Sequence, residues 1–320
     1  MSTILIGFKP GVLTDTRLGQ VRQAAPDMRL VVTPDRDEMS AVLDDVEIAA
    51  AMVPGSLLAA APRLRWFQAW GAGVEWVLQY PAAIERDFVL TNTSGIHPIQ
   101  MTEHVLALML AFARRLPDAL RAQAERTWRH LENAEVFELA GKTVLLVGAG
   151  AIGRTTAQVA AALGMRVTGI RRVPSGHLPG VERVAGIESL RDLLPEADFV
   201  VLLVPLTPET RHLIGERELR LMKRDAYLVN VGRGGLVDEA ALVRALREGW
   251  IAGAGLDVFE QEPLPADSPL WDMQNVLITG HYGGASPVYD DRAFEVFLDN
   301  LHRYRAGQPL RNVVDKRLGY

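Results

Sequence analysis

The chain has 320 residues, 48% of them hydrophobic and 23% charged, which fits a globular protein large enough for two ordinary domains. Its formal charge of −5 argues against a nucleic-acid partner, which calls for a basic face. It contains no cysteine, which excludes a disulfide framework, a thiolate-bound metal and a cysteine nucleophile and suits a reducing compartment.

The N-terminal MSTILIGFKPG lacks a basic region and has only a short apolar run, so it reads as a first strand and not as a signal peptide. Five β-rich runs, 3–8, 29–34, 47–52, 64–70 and 88–93, alternate with helical patterns. That spacing predicts a parallel sheet with crossover helices. Pro98 is placed for a helix start, and VLALMLAFA (105–113) gives a nearly all-round apolar helix to about Arg115. Nine apolar residues cannot cross a hydrocarbon core that needs roughly 20. The helix is therefore read as buried in protein, the chain as cytoplasmic and without a membrane partner. Pro117 is expected to kink or end that helix, and the polar stretch after it to cover a surface or a partner.

A second βα series begins at Thr143, with six strands expected at 143–148, 166–170, 198–205, 226–231, 253–259 and 275–280. Their Val/Ile/Leu runs do not alternate, as expected of strands covered on both faces. From about Ser286 to Arg305 runs one amphipathic helix, expected to pack back on the first domain.

TVLLVGAGAIGRTTAQVAAALG contains G-x-G-x-x-G as Gly148, Gly150 and Gly153, between an apolar strand and an alanine-rich helix. That context turns a weak pattern into a dinucleotide-binding expectation. The first glycine allows a tight turn, the second lets a pyrophosphate approach, and the third lets helix and strand pack closely. Amides at the helix start, including those of Ala151 and Ile152, would face the phosphates. The domain reading follows: residues 1–97 plus 287–320 as a discontinuous substrate-binding domain, with 98–286 inserted as the dinucleotide-binding domain.

About twenty residues past the loop, where an acid would read the adenosine ribose, stand Arg171 and Arg172, with Ser175 in the turn beyond. An acid there would repel a 2′-phosphate, whereas an arginine attracts it with about 1.5–3 kcal/mol per charge-assisted hydrogen bond. NADP(H) is therefore the preferred cofactor and NAD(H) the second candidate. The alternative is that both arginines are solvated surface charges.

The segments VNVGRGGLVDEAAL (229–242), GAGLDVFEQEPLP (253–265) and ITGHYGGAS (278–286), with the glycine loop, NTSGIHPIQMTEHVLALMLAFARRLP (92–117) and ADFVVLLVPLTPETRHLIG (197–215), closely resemble the D-isomer-specific 2-hydroxyacid dehydrogenase family. The resemblance covers about residues 65–290. It implies an α/β architecture of two Rossmann-like/flavodoxin-like parallel-sheet domains flanking a cleft, with the cofactor domain inserted in the substrate domain, and a homodimer packed through the arm at 101–140. It implies that Arg233 binds the substrate carboxylate and ketone in a planar fork, with Val231 and Gly232 beside the cofactor. His281 would be the acid/base, paired with Glu262, which favours the imidazolium. Asp257 would hold the nicotinamide carboxamide. Pro205 and Thr210 would border the cofactor phosphates and ribose, and the backbone of Ala72 and Gly73 would hold the substrate carboxylate.

Each residue also has a plainer reading: Arg233 solvated, Asp257 a helix N-cap, Glu262 an exposed loop acid, His281 a core histidine on a backbone carbonyl, and Ala72-Gly73 an ordinary turn. The remaining histidines receive no catalytic or binding role, His97 and His104 flanking the apolar helix and His104 being expected to pack against the domain interface, and no spacing suggests a metal. The chain departs from the family in reading Thr279-Gly280-His281 where T-P-H is usual, which is expected to loosen the approach to the acid/base, and in carrying His97 where Asn is frequent. The expected reaction is NAD(P)H-dependent reduction of a small 2-keto acid of the glyoxylate/hydroxypyruvate type to the D-2-hydroxy acid. The alternatives are a same-fold dehydrogenase for another small anion such as phosphite, and a non-enzymatic corepressor-like NAD(P) sensor.

Overall fold

The computed structural model describes residues 1–174 and 176–319. The chain divides into two compact units, Met1–Ile96 with Ser286–Tyr320, and His97–Ala285. Both are α/β, each built on a parallel sheet. Among the described residues no helix is long and apolar enough to cross a membrane.

The first unit holds strands β1 (Thr3–Gly7), β2 (Arg29–Val32), β3 (Val46–Ala51), β4 (Trp66–Gln68) and β5 (Val89–Thr91) in the order β2-β1-β3-β4-β5. The helix Tyr289–Arg305 belongs to this unit and covers one face of the sheet. Its Phe297 is fully buried, with its ring stacked 5.6 Å from Trp66, a β4 residue that is likewise fully buried.

The second unit holds β6 (Thr143–Val147), β7 (Arg166–Ile170), β8 (Arg183–Ala185), β9 (Phe199–Leu202), β10 (Tyr227–Asn230), β11 (Gly253–Leu256) and β12 (Val276–Ile278), ordered β12-β11-β10-β9-β6-β7-β8. The absence of alternation in these strands now has its explanation. Leu145 and Val147 face one core with Val200 and Leu202, while Val144 and Leu146 face a second core with Phe199 and Val201. The helices Pro98–Ala113 and Ala151–Ala162 cover that second face. The chain order reverses between β6 and β9, and in open parallel sheets ligands bind outside the strand ends at such a switch point.

Three expectations need correction. Among the described residues the second sheet has seven strands where six were expected. β8 escaped because it is a three-residue edge strand whose Arg183 is exposed, too short for a pattern to register. The strands 198–205 and 253–259 are shorter than expected, ending at Leu202 and Leu256, because the chain leaves the ladder there to form loops. Pro117 neither kinks nor ends the apolar helix. That helix stops at Ala113, Arg115 takes a left-handed conformation (φ 55°), and Pro117 sits in the first turn of a new helix, Leu116–Ala124. A proline suits that place because its missing N–H would have no intrahelical acceptor.

At the start of β9 the buried Asp198 ties three elements together. Its carboxylate accepts the Thr143 amide at 2.7 Å and the Lys223 ammonium at 2.9 Å. Burial pushes this carboxyl up, but the Thr143 amide and Lys223 outweigh it and hold it below the usual Asp value. A group lowered in the folded state contributes stability above its unfolded value of about 3.9 and loses it as the pH falls through the folded value. We expect Asp198→Asn to lower the urea midpoint at pH 7, with the gap to the unmodified protein narrowing as the pH falls below the ordinary Asp value of about 3.9. A gap that is constant with pH would show that the carboxylate's charge plays no part.

Candidate active site

The first feature of the site is made by the glycine loop after β6. Gly148 has φ +118°, and a Cβ there would lie 2.7 Å from the Leu203 carbonyl carbon. The chain therefore crosses the β6–β9 switch point only as glycine. A Cβ on Gly153 would lie 2.2 Å from the Gly148 carbonyl oxygen. Gly150 is different in kind. It caps the helix Ala151–Ala162 without a side-chain partner, and a Cβ on it would meet nothing within 4 Å. Two glycines are thus required by the fold itself, while the third leaves open space at a helix N-terminus, the place where amides and the helix dipole favour an anion. That space, beside Ala151 and Ile152, fits a dinucleotide pyrophosphate.

The end of β7 is fastened to this loop. The Ile170 carbonyl accepts the Gly148 amide at 3.0 Å and the Ala149 amide at 2.8 Å. Arg171 is the next residue, half-buried, and its own amide donates to the Ala185 carbonyl at 3.0 Å. Arg172 is exposed, and Ser175 lies outside the described residues. Beyond β9, the Thr210 hydroxyl donates to the Pro205 carbonyl at 2.7 Å and accepts the Thr207 amide at 2.7 Å, so it closes its own loop.

After β10 the chain turns through Val231, Gly232 and Arg233, and the turn is shaped by Asn230. This buried side chain accepts the Gly232 amide at 3.2 Å and donates to the Arg233 carbonyl at 2.9 Å. Sequence reading passed over Asn230, although an Asn two residues before a glycine turn is a signal for an Asx-type turn. Val231 is buried; Arg233 is half-buried, and its Nη1 donates to the Gly232 carbonyl at 2.7 Å. A Cβ on Gly234 would lie 1.8 Å from the Phe259 carbonyl carbon, so the arginine turn rests directly on the backbone of the segment that leads to Glu262.

The third feature centres on Asp257, which is 1% exposed just after β11. Its Oδ1 accepts the Thr279 hydroxyl at 2.6 Å and the Tyr282 amide at 3.1 Å, and its Oδ2 accepts the Gly283 amide at 3.0 Å. Its carbonyl accepts the His281 amide at 2.8 Å. This acid caps no helix; it caps the turn that carries His281. The turn is closed on Asp257 from both sides of Gly280. His281 itself has φ +55°, a backbone conformation that costs about 1–2 kcal/mol outside glycine and is held here by those bonds.

Within this frame His281 Nδ1 stands 2.6 Å from Glu262 Oε2, and Glu262 Oε1 accepts the Phe259 amide at 3.0 Å. The His281 side chain is half exposed. It is therefore not a core histidine satisfied by a carbonyl, nor is Glu262 an acid adrift in a loop. With Nδ1 engaged by a carboxylate, the ring is oriented and Nε2 is the nitrogen through which a proton can pass. A second histidine, His104 on the helix Pro98–Ala113, lies against the same turn, its Nε2 3.0 Å from the Thr279 hydroxyl. Ala72 and Gly73 belong to the other unit, half-buried in the loop after β4, where Asn92 Nδ2 donates to the Ala72 carbonyl at 2.8 Å.

A glycine-lined helix N-terminus, an oriented carboxylate–imidazole pair and an arginine turn thus follow strands of one parallel sheet at their C-terminal ends, and the chain as a whole is similar to known proteins. Residues 106–283 match the family model described as D-isomer specific 2-hydroxyacid dehydrogenase, NAD binding domain. A glyoxylate reductase of Korarchaeum cryptofilum is 38% identical over 304 residues, 92% of this chain and 88% of that protein. Among solved structures, a D-isomer specific 2-hydroxyacid dehydrogenase of Xanthobacter autotrophicus Py2, in complex with NADPH and MES, is 34% identical, with a TM-score of 0.85 over 100% of this chain and 99% of that one. An NADPH-dependent glyoxylate/hydroxypyruvate reductase of Sinorhizobium meliloti, in complex with NADP and sulfate, is 30% identical, with a TM-score of 0.85 and all of both chains covered. The chain belongs to the D-isomer-specific 2-hydroxyacid dehydrogenase family, and its second unit contains that family's NAD-binding domain.

Proposed function

We propose that this protein reduces a small 2-keto acid of the glyoxylate/hydroxypyruvate type to the D-2-hydroxy acid, with NADP(H) preferred over NAD(H). The observation that carries the reading is the His281–Glu262 pair, 2.6 Å apart and oriented by the Asp257 turn. The names of the Korarchaeum and Sinorhizobium relatives support the choice of substrate.

In this reading the bound cofactor supplies hydride to the carbonyl carbon. His281 Nε2 gives its proton to the ketone oxygen, so that C=O becomes CH–OH with one hydride and one proton added. Glu262 orients the ring and offsets the imidazolium charge. Arg233 binds the substrate carboxylate and ketone, and its guanidinium polarises the ketone as negative charge develops on oxygen. The backbone of Ala72 and Gly73 is assigned by the resemblance to the same carboxylate. Asp257 would hold the nicotinamide carboxamide through Oδ2, which takes one amide from Gly283 and keeps a second lone pair. Gly148, Gly150, Ala151, Ile152 and Gly153 would cradle the pyrophosphate, and Val231, Gly232, Pro205 and Thr210 would border the rest of the cofactor. Arg171, with Arg172 and Ser175, would read the 2′-phosphate. A homodimer through the 101–140 arm is supported by its exposed apolar side chains, with Leu120 66% and Trp128 94% exposed.

Following NADPH and NADH oxidation separately with glyoxylate and hydroxypyruvate, and resolving the chirality of the glycerate formed from hydroxypyruvate, tests this directly. His281→Ala should lower kcat by about 100-fold or more, and undiminished turnover would overturn the mechanism. Arg171→Asp should shift the NADPH/NADH ratio of kcat/KM toward NADH by about tenfold or more, equivalent to about 1.4 kcal/mol. An unchanged ratio would assign that charge to solvent.

The glycines give a separate test. Gly150→Ala should melt at the temperature of the unmodified protein yet lose most of the stabilisation that NADPH confers, because its methyl group enters open space meant for the ligand. Gly153→Ala should melt lower even without cofactor, because its methyl group collides with the Gly148 backbone. Thermal melting with and without NADPH separates the two.

A further inference from the structure

We propose that His104 is a positioning residue for this site: its Nε2–H donates to the Thr279 hydroxyl, which in turn donates its own hydrogen bond to Asp257, and the chain of bonds fixes the turn that carries His281. The inference rests on the reading of His281 as the acid/base and adds a residue to which sequence reasoning gave no role.

The direction of the bonds follows from counting protons. Thr279 Oγ1 lies 2.6 Å from Asp257 Oδ1. An ionised carboxylate can only accept, so the single hydroxyl proton goes to Asp257. The other contact of that hydroxyl, His104 Nε2 at 3.0 Å, must then bring a hydrogen with it. His104 is thereby assigned a protonated Nε2, which also points toward Asp257 Oδ1 at 3.5 Å. A bare Nε2 would set two acceptors against each other in a place where the histidine side chain is only 13% exposed and little water can intervene.

The ring touches the turn at two further points. It stands edge-on to Tyr282, with centroids 5.6 Å apart and planes at 77°. It also fills the space beside Gly283, where a Cβ would lie 2.9 Å from His104 Cδ2. His104 thus bears on Thr279, Tyr282 and Gly283, and His281 lies between these anchors with its backbone in the left-handed region. The apolar helix Pro98–Ala113 is the rigid body from which this support is delivered. Removing the imidazole leaves the Thr279 oxygen without its donor and slackens the bonds on which the His281 backbone depends.

The test begins with the unmodified protein. Long-range 1H–15N NMR of 15N-histidine-labelled protein, with the His104 signals assigned through His104→Gln, should show Nε2 protonated; an unprotonated Nε2 would overturn the proposal whatever the enzyme does. Kinetics then asks whether position matters. His104→Leu should lower kcat on the keto acid about tenfold or more while its KM stays within about twofold, the pattern of a contact needed only at the transition state. His104→Gln, whose amide nitrogen can take the place of Nε2, should recover kcat to within about threefold. Thr279→Val should cost as much as His104→Leu, and the double variant no more than either. A kcat within twofold of the unmodified protein for His104→Leu, or equal losses for Leu and Gln, would refute the role. Absence of any 2-keto acid turnover by the unmodified protein would instead refute the proposed function, and the tautomer measurement would still decide the assignment of His104.

Discussion

One buried carboxylate organises the candidate active site. Asp257 lies almost wholly out of water, and a carboxylate survives there only if donors replace its hydration. The Thr279 hydroxyl and the Tyr282 and Gly283 amides do so, and all three belong to one turn. The demand of a single acid for hydrogen bonds therefore dictates the path of residues 279–283. The unusual backbone of His281 is a consequence of that path, because its amide is also held by the Asp257 carbonyl. Glu262 then has one ring nitrogen presented to it.

The sheet supplies the second constraint. Strand order reverses between β6 and β9, the place where open parallel sheets bind ligands, and the glycine loop passes there against the Leu203 backbone. The Arg233 turn, the Asp257 segment and the His281 turn follow β10, β11 and β12, neighbouring strands in register. Residues separated by tens of positions in the chain meet because parallel pairing places every strand's C-terminal end on the same edge.

How much of this the sequence carried depended on the range of the signal. Among the described residues, eleven of the twelve strands lay in the β-rich and apolar runs of the sequence, most clearly β6 and β9, where burial on both faces leaves no charged residue to interrupt the run. β8 did not, being three residues at an edge with an exposed arginine. Pro117 was misread because a proline near a helix end fits a stop as well as a start, and only the left-handed Arg115 distinguishes them. At the candidate site, the pairing of His281 with Glu262 was legible because each lies in a compact motif. Asn230, Thr279 and His104 were not, since their importance is in what they touch. His104 and Thr279 are 175 positions apart, and nothing local in either segment says that the hydroxyl and the ring are in contact. Asp257 was noticed for its place in a motif, but its hold on the His281 turn could be read only from three dimensions.

The glycine loop carries an implication for how tightly a dinucleotide can be held. Its path is dictated by contacts the polypeptide makes with itself, at Gly148 and Gly153, while the space at Gly150 stays clear. The amides at the head of the Ala151–Ala162 helix are accordingly aligned before anything arrives. A receptor shaped in this way by its own contacts forgoes the entropy loss that a mobile loop suffers on ordering, which is the general route by which preorganisation leaves more of an attraction as affinity.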